Sequence, residues 1–274
     1  MNRDSTANDQ LILAHYKTVA VKHGSSSRSS MEDDLVRERE VEWIRQFFLW
    51  LRKRSDTGLR VLDLGCGNGH ALQVLADAAG TQDQFWGLDF SEDLLAIARG
   101  RRLPNCEFTQ GDARRLSVEN EFFDLVYTER CLINILDWSE QKAALQEVAR
   151  VLKRGGYYLA IECFLDGLEN NNKARAECGL PDIKQAHHNR YFQMDLFRGA
   201  IRGWFTIIDP SQLQCDCFTF QPNFLSSHYF VSRVLYPAIT KGDIARNSEV
   251  AKFFSFLPPM GNYSPIQAYV LMRL

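Results

Sequence analysis

The sequence lacks the features that mark several large classes of protein. Its formal net charge is −2, so no excess of positive charge favours non-specific nucleic-acid binding. No apolar run approaches the roughly 20 residues that cross a bilayer. The start, MNRDSTANDQ, is too polar for a signal peptide. We therefore expect a cytoplasmic protein with neither a nucleic-acid nor a membrane partner.

The seven cysteines include no C-x-x-C pair. An odd number without an export signal predicts reduced thiols. Cys215 and Cys217 are spaced as two metal ligands can be, but on a strand they would share one face beside apolar neighbours. No partner ligands with suitable spacing accompany them, and we expect no metal site.

Residues 36–162 alternate short apolar runs with amphipathic segments. The pattern predicts strands at 60–64, 85–89, 106–112, 122–128 and 157–162, and helices at 36–52, 70–79, 92–101 and 139–152. Ser91 is the predicted N-cap of the helix at 92–101. This alternation predicts an α/β fold of the Rossmann-like, doubly wound type, with a mostly parallel seven-stranded sheet and helices on both faces.

The flanking segments are less regular. Residues 1–35 contain the serine-rich stretch HGSSSRSSMEDD and are predicted to be an N-terminal lid or mobile segment. Residues 163–264 are predicted to be an irregular insertion on the substrate side. The elements predicted in these segments are a short helix at 11–21, a sheet strand near 213–220, helices near 226–235 and 248–256, and a final strand at 265–274 that completes the core sheet.

The stretch RVLDLGCGNGH, residues 60–70, places a glycine-rich turn directly after a buried strand. Its glycines are spaced G-x-G-x-G, whereas the dinucleotide fingerprint is G-x-G-x-x-G. No lysine followed by Ser or Thr comes after the turn, which disfavours a phosphate loop. Asp63 would repel a pyrophosphate but suits a cationic ligand. The turn therefore favours a sulfonium cofactor and disfavours a dehydrogenase.

VLDLGCGNG resembles the first motif of class I S-adenosylmethionine-dependent methyltransferases, and the similarity continues in order through residues 36–162. It implies S-adenosylmethionine as methyl donor and S-adenosylhomocysteine as product. Asp89 would hold both ribose hydroxyls, because a carboxylate can accept two bonds from a cis-diol. The glycine turn would pass under the methionine part. The cofactor-binding residues implied are Tyr16, Asp63, Gly65, Cys66, Gly67, Asn68, Gly69, Asp89, Phe90, Asp112, Ala113 and Thr128.

The segment YTERCLINIL, after the fourth predicted strand, faces the transferred methyl group in this family. It lacks the Asn/Asp-Pro-Pro-aromatic signature of enzymes that modify nucleic-acid bases or glutamine. Glu129 is a candidate base and Arg130 a candidate ligand for an anionic acceptor, unless the two form an ion pair. His187 and His188 in QAHHNRY are further candidate bases, or part of an exposed polar loop.

These features predict a methyltransferase that acts on a small-molecule acceptor, with O-methylation of a sugar or secondary metabolite preferred. N-methylation of a small amine and cofactor binding without catalysis are the alternatives. A metal is not expected, because few acidic residues accompany Glu129. The expected state is a monomer or a homodimer.

Overall fold

The computed structural model describes residues 3–26, 31–215, 218–244 and 246–274. Its strands are β1 (Arg60–Leu64), β2 (Gln84–Asp89), β3 (Cys106–Gln110), β4 (Phe123–Glu129), β5 (Leu152–Cys163), β6 (Phe205–Ile207) and β7 (Ile266–Arg273). Its helices are α1 (Arg3–His23), α2 (Asp34–Arg52), α3 (His70–Ala78), α4 (Glu92–Gly100), α5 (Trp138–Val151), α6 (Leu165–Glu177), α7 (Met194–Ile201), α8 (Ser226–Phe230), α9 (Tyr236–Thr240) and α10 (Glu249–Ser255).

The seven strands form one sheet in the order β3-β2-β1-β4-β5-β7-β6. The first five strands run parallel, and β7 runs antiparallel to both β5 and β6. The first strand of the chain, β1, lies in the middle of the sheet. The strands β2 and β3 follow on one side of it, and the chain then crosses to β4 on the other side. In such sheets ligands bind outside the carboxyl ends of the strands at this switch point. The predicted fold is confirmed, and it places a crevice beside β1 and β4.

Apolar strands and one face of α2 form the core. Leu62 in β1 and Val126 in β4 are almost fully buried, as in parallel strands that are covered on both faces. Trp43, Ile44 and Phe47 recur at helical spacing on α2 and are also buried. The sheet therefore provides a rigid base for the loops at its carboxyl edge.

Side-chain caps fix where the helices begin. The hydroxyl of Ser91 accepts from the amide of Leu94 at the start of α4, as the sequence predicts. Asp33 caps α2 in the same way. Its carboxylate also accepts from Arg233 and contacts Nε2 of His228, 2.9 Å away. Asp33 therefore joins the start of α2 to the segment that follows β6.

The helix expected at 11–21 is present and is longer than predicted, as the 21-residue helix α1. The strand expected near 213–220 is wrong. No strand is present at 213–215 or 218–220, and the sixth strand is β6, which lies at the sheet edge and pairs with β7. The apolar pattern near 213–220 instead reflects the burial of Leu213 and Phe220 in the core. Cys217 lies outside the described residues.

The segment between β6 and β7 contains the helices predicted near 226–235 and 248–256. The first consists of α8, a π-helical turn at Val231–Leu235 and α9, and the second is α10. Across the described part of the chain, no helix combines the length and the apolar character needed to cross a membrane.

Candidate active site

A cavity lies at the carboxyl ends of β1, β2 and β4, and α1 covers it. We call it the first cavity. The turn after β1 contributes Gly65 and Gly67, β2 contributes Asp89, and α1 contributes Tyr16. These residues come from the segments that the sequence predicts to bind the cofactor.

The glycine turn exposes its backbone to the first cavity, because the two residues that line the cavity, Gly65 and Gly67, have no side chains. Gly65 and Gly67 have φ values of 86° and 53°, in the left-handed region that favours glycine. A Cβ on Gly65 would lie 2.5 Å from Sγ of Cys131. The turn is therefore shaped for close approach of a ligand to the main chain.

The carboxylate of Asp89 is held in place by the turns on either side of it. Oδ2 accepts from the amide of Gly67 at 2.7 Å, and Oδ1 accepts from the amide of Ser91 at 2.8 Å. Each oxygen keeps a second lone pair, which matches the two hydroxyls of a ribose. Burial raises the pKa of Asp89 above its ordinary value, against the effect of these bonds.

Asp63 lies two residues before Gly65 and is 2% exposed. Its Oδ2 has no hydrogen-bond partner among the described residues. Burial raises the pKa of Asp63 to about 7, although Tyr127 and Arg37 oppose the shift. A buried carboxyl group with a free oxygen is stabilised in its ionised form by a nearby cation, so Asp63 fits a cofactor that carries positive charge.

The far end of the first cavity is lined by Phe90, Asp112 and Ala113. The side chain of Arg114 binds Asp112 through Nε at 2.9 Å and Nη2 at 2.7 Å. The same guanidinium pairs with Asp9 of α1 and with Glu140 of α5. The predicted adenine-binding residues are therefore together, and Arg114 links them to the covering helix.

Several predicted cofactor ligands do not line the first cavity. Thr128 is fully buried, and its Oγ1 lies 2.9 Å from the hydroxyl of Tyr158. Successive side chains on a strand point to opposite faces, so Glu129 lines the cavity where Thr128 was predicted to. The sequence prediction for Thr128 is wrong for this reason.

Cys66, Asn68 and Gly69 also lie behind the wall of the cavity, as does Asp63. Nδ2 of Asn68 donates to the carbonyls of Gly24 and Ser26, both at 2.9 Å. Gly69 is the N-cap residue of α3. Asn68 therefore holds the end of α1, and Gly69 lets the turn pass into α3. Both contribute to the structure of the site.

Glu129 and Arg130 belong to a buried network of four charges. Glu129 pairs with Arg37 and lies 3.3 Å from Nη2 of Arg130. Arg130 binds both carboxylate oxygens of Glu40, at 2.7 and 3.1 Å. Because Oε1 of Glu129 contacts two arginines in a buried setting, the ion-pair interpretation fits Glu129 better than a free base.

The sequence analysis missed Arg37 and Glu40. Both lie on the buried side of α2, and Glu40 is fully buried. Burial lowers the pKa of Arg37 to about 10, with the charge of Arg130 adding to the effect. The sequence did contain a signal, because Arg37 and Glu40 are two charged residues on a helix face that is otherwise mostly apolar. Since buried charges are seldom unpaired, this pattern indicates buried ion pairs.

Glu162, at the end of β5, was missed as well. Its carboxylate accepts from the amides of Cys131, Leu132 and Ile133 at 3.0 to 3.3 Å. Burial raises the pKa of Glu162 to about 7 against these bonds. Glu162 therefore fixes the 3-10 turn Leu132–Asn134, which carries Asn134 to the cavity wall.

A second cavity adjoins the first. Three residues, Tyr16, Arg130 and Asn134, line both. The hydroxyl of Tyr16 donates to Oδ1 of Asn134 at 2.7 Å, and Nδ2 of Asn134 donates to Oδ1 of Asn189 at 2.8 Å. The common wall thus joins α1, the turn after β4 and the loop before α7.

The structure separates the two predicted histidines. His188 lines the second cavity, and its ring is stacked on His15 with centroids 3.9 Å apart. Burial lowers the pKa of His188 to about 4, with His15 and His187 contributing. His187 is exposed and is not among the described residues that line either cavity. Of the two, His188 is the candidate for a chemical role.

The comparisons with known proteins agree with the fold. Residues 61–156 match a family model described as a methyltransferase domain. This part of the chain is similar to the class I S-adenosylmethionine-dependent methyltransferases, whose seven-stranded fold the chain has.

Relatives within this class include the demethylmenaquinone methyltransferase of Lactococcus lactis, 35% identical over 143 residues. The match covers 49% of this chain and 56% of that protein. The ubiquinone/menaquinone biosynthesis C-methyltransferase UbiE of Coxiella burnetii is 31% identical over 161 residues, covering 56% of this chain and 63% of its own. The chain thus matches between half and two thirds of the length of these relatives.

Solved structures share the fold at lower identity. A putative methyltransferase of Haloferax volcanii, solved with the Trm112 activator, has a TM-score of 0.51 at 19% identity, over 90% of this chain and 97% of that one. The phosphoethanolamine N-methyltransferase 1 of Haemonchus contortus has a TM-score of 0.54 at 19% identity, over 75% of this chain and 42% of its own. Both support the architecture.

Proposed function

We propose that the protein binds S-adenosylmethionine in the first cavity and transfers its methyl group to an oxygen atom of a small-molecule acceptor in the second. The observation that carries this proposal is the position of Asp89 beside the left-handed glycine turn, at the switch point of the sheet. A carboxylate and an open backbone there suit a ribose attached to a methionine chain.

Each part of the first cavity has a role in holding the cofactor. Asp89 accepts from the ribose hydroxyls, and Phe90, Asp112 and Ala113 contact the adenine. The backbone at Gly65 and Gly67 lies along the methionine part, with the charge of Asp63 behind it. When bound, S-adenosylmethionine supplies a methyl carbon activated by its sulfonium.

The wall shared by the two cavities orients the acceptor relative to the cofactor. An acceptor must lie about 3 Å from the methyl carbon and in line with it. Tyr16 and Asn134 are hydrogen-bonded across the boundary between the cavities. They position the two reactants, while α1 above them excludes water from the first cavity.

The second cavity favours an oxygen acceptor over an amine. Among the described residues that line it, none is acidic and Arg130 carries positive charge. A cationic amine would find no carboxylate to pair with there. A hydroxyl group of a sugar or secondary metabolite meets hydrogen-bonding side chains instead.

Transfer to a ring carbon is the second candidate. It is favoured by the names of the relatives, which methylate demethylmenaquinone or act in quinone biosynthesis. The position of the methyl group in the product, read by nuclear magnetic resonance, separates the two.

Calorimetry with S-adenosylhomocysteine tests the proposal. The wild-type protein is expected to bind it. Asp89→Ala should weaken binding about 100-fold or more, because two charge-assisted hydrogen bonds of roughly 1.5–3 kcal/mol each are lost. Asp77→Ala, which removes an exposed carboxylate on α3, is the matched control and should bind normally. Equal affinity of the Asp89 variant, or tight binding of NAD, would refute the assignment.

A further inference from the structure

The second cavity is lined by rings from three separate parts of the chain. His15 and Tyr16 come from α1, His188 and Tyr191 from the loop before α7, and Tyr229 from α8. Met31, Ile133 and Ile266 add apolar contacts. The faces of these rings can stack on a flat ring of an acceptor, which a polyhydroxylated sugar does not offer.

His15 and His188 form a neutral pair on one wall of this cavity. Their rings are nearly parallel, tilted by 22°. Burial lowers the pKa of both, and for His188 to about 4. Near neutral pH each therefore has an unprotonated nitrogen and can accept a proton.

We propose that the second cavity binds a phenolic acceptor, a ring that carries an acidic hydroxyl group, and that His188 removes the proton of that hydroxyl. This inference rests on the proposed function and adds the class of acceptor and the identity of the base. His15 is a positioning residue, because it contacts the base through the ring stack.

The weak basicity of His188 selects for an acidic hydroxyl. An imidazole with a low pKa removes a proton from a phenol far more readily than from an aliphatic alcohol, whose hydroxyl is much less acidic. The guanidinium of Arg130 on the shared wall places positive charge near a phenolate oxygen.

The step is balanced in protons and electrons. The O–H bond of the phenol breaks, and its proton goes to His188. The electron pair of the oxygen forms the new bond to the methyl carbon as the C–S bond breaks and its electrons return to sulfur. One proton is then released from His188 to water, so acceptor and donor give methyl ether, S-adenosylhomocysteine and H⁺.

Binding of 4-nitrophenol tests the acceptor class without turnover. In the presence of S-adenosylhomocysteine, the wild-type protein at pH 6 should bind this probe, as measured by equilibrium dialysis. Added 2-naphthol should displace it, whereas benzylamine and methyl glucoside should not. Displacement by the amine or the glucoside alone, or no binding of the probe, would overturn the proposed acceptor class.

Variants of the two neighbouring histidines test the base. His188→Gln should lower the rate of methylation of a phenol about 100-fold or more, the usual contribution of a positioned base, and should keep binding S-adenosylhomocysteine. His187→Gln changes the exposed neighbour and should retain wild-type turnover. Equal turnover in His188→Gln and wild type would refute its role as base.

The pH profile provides a readout that a structural role would not move. The charged or titratable groups around His188 are His15 on α1, His187 on its own loop and, among the residues lining the second cavity, Tyr16, Arg130, Cys163, Tyr191 and Tyr229. The acid limb of kcat/KM should lie near pH 4, well below that of an ordinary histidine. His15→Gln should move this limb to higher pH, since His15 lowers the pKa of His188. An unmoved limb would contradict the pairing.

These outcomes separate the two proposals. If the wild-type protein fails to bind S-adenosylhomocysteine, the proposed function fails. If it binds this product and shows no phenol binding, only the acceptor inference fails.

Discussion

The two cavities share a wall but are built in different ways. The first is formed largely by turns that directly follow consecutive strands, and it uses backbone atoms at Gly65 and Gly67 and the carboxylate of Asp89. The second is formed by side chains from α1, the loop before α7, and α8. The first can therefore be found from a local motif, whereas the second exists only when distant segments come together.

Gly65→Ala should have the largest effect on stability and cofactor binding, and it changes only the first cavity. The new methyl group would meet Sγ of Cys131 at 2.5 Å on a backbone with φ of 86°. Overpacking and left-handed strain together are expected to cost about 2–5 kcal/mol in the free energy of unfolding and to abolish S-adenosylhomocysteine binding. Urea unfolding and calorimetry measure the two effects.

Gly155→Ala is its matched control. Gly155 has a similar φ of 75°, but nothing lies within 4 Å of the position of an added Cβ. Only the strain of about 1 kcal/mol is expected, with normal cofactor binding. Equal behaviour of the two variants would show that the close approach at Gly65 is unimportant.

Glu40→Gln should have the next largest effect and should disturb both cavities. It removes the carboxylate that binds Arg130 at two atoms in a buried site. Loss of one partner of a buried pair is expected to cost about 3–5 kcal/mol of stability. Glu42→Gln on the same helix breaks a half-exposed contact with Arg45 and should cost about 1 kcal/mol or less. Chemical denaturation compares them; a similar small loss in both would argue against a structural role for the network.

Asp63→Asn should have the smallest effect, which is a change in how the free energy of unfolding depends on pH. Its pKa is about 7 in the folded protein and about 3.9 in an unfolded chain, so the folded state holds the extra proton between these values. Its contribution to stability should therefore fall as pH rises from 5 to 7.5, by about 2 kcal/mol or less. Asp63→Asn should lack this slope.

Cofactor binding offers a second measurement of Asp63. A cationic ligand favours the ionised carboxyl group, so binding of S-adenosylmethionine at pH 6 should release protons. The binding enthalpy should then depend on the buffer for wild type and not for Asp63→Asn. The same buffer dependence in both proteins would place the titrating group elsewhere.

The sequence predicts the sheet and the turns that line the first cavity because their signals are local. The strand at 60–64, the cap at Ser91 and the acid at Asp89 each lie within a few residues of the motif that identifies them. The three-residue strand β6 was missed because it is too short to show an alternating pattern and is identified by its pairing with β7.

The site residues that were missed depend on long-range pairing. Glu40 and Arg130 are far apart in sequence, and neither the pair nor its burial can be read from one helix. Thr128 and Glu129 are adjacent, and the choice between them depends on which face of β4 meets the cavity. His15 was missed because its partner, His188, comes from the other side of the fold.

The segment between β6 and β7 begins and ends at neighbouring points of the sheet. The amide of Ile208 donates to the carbonyl of Val270, and Ile207 pairs with Leu271. For a segment whose ends are already held together, doubling the length adds only about 0.6 kcal/mol of closure entropy. Residues that line the second cavity, such as Tyr229, can therefore be exchanged by lengthening or replacing this loop, while the sheet that carries the first cavity remains as it is.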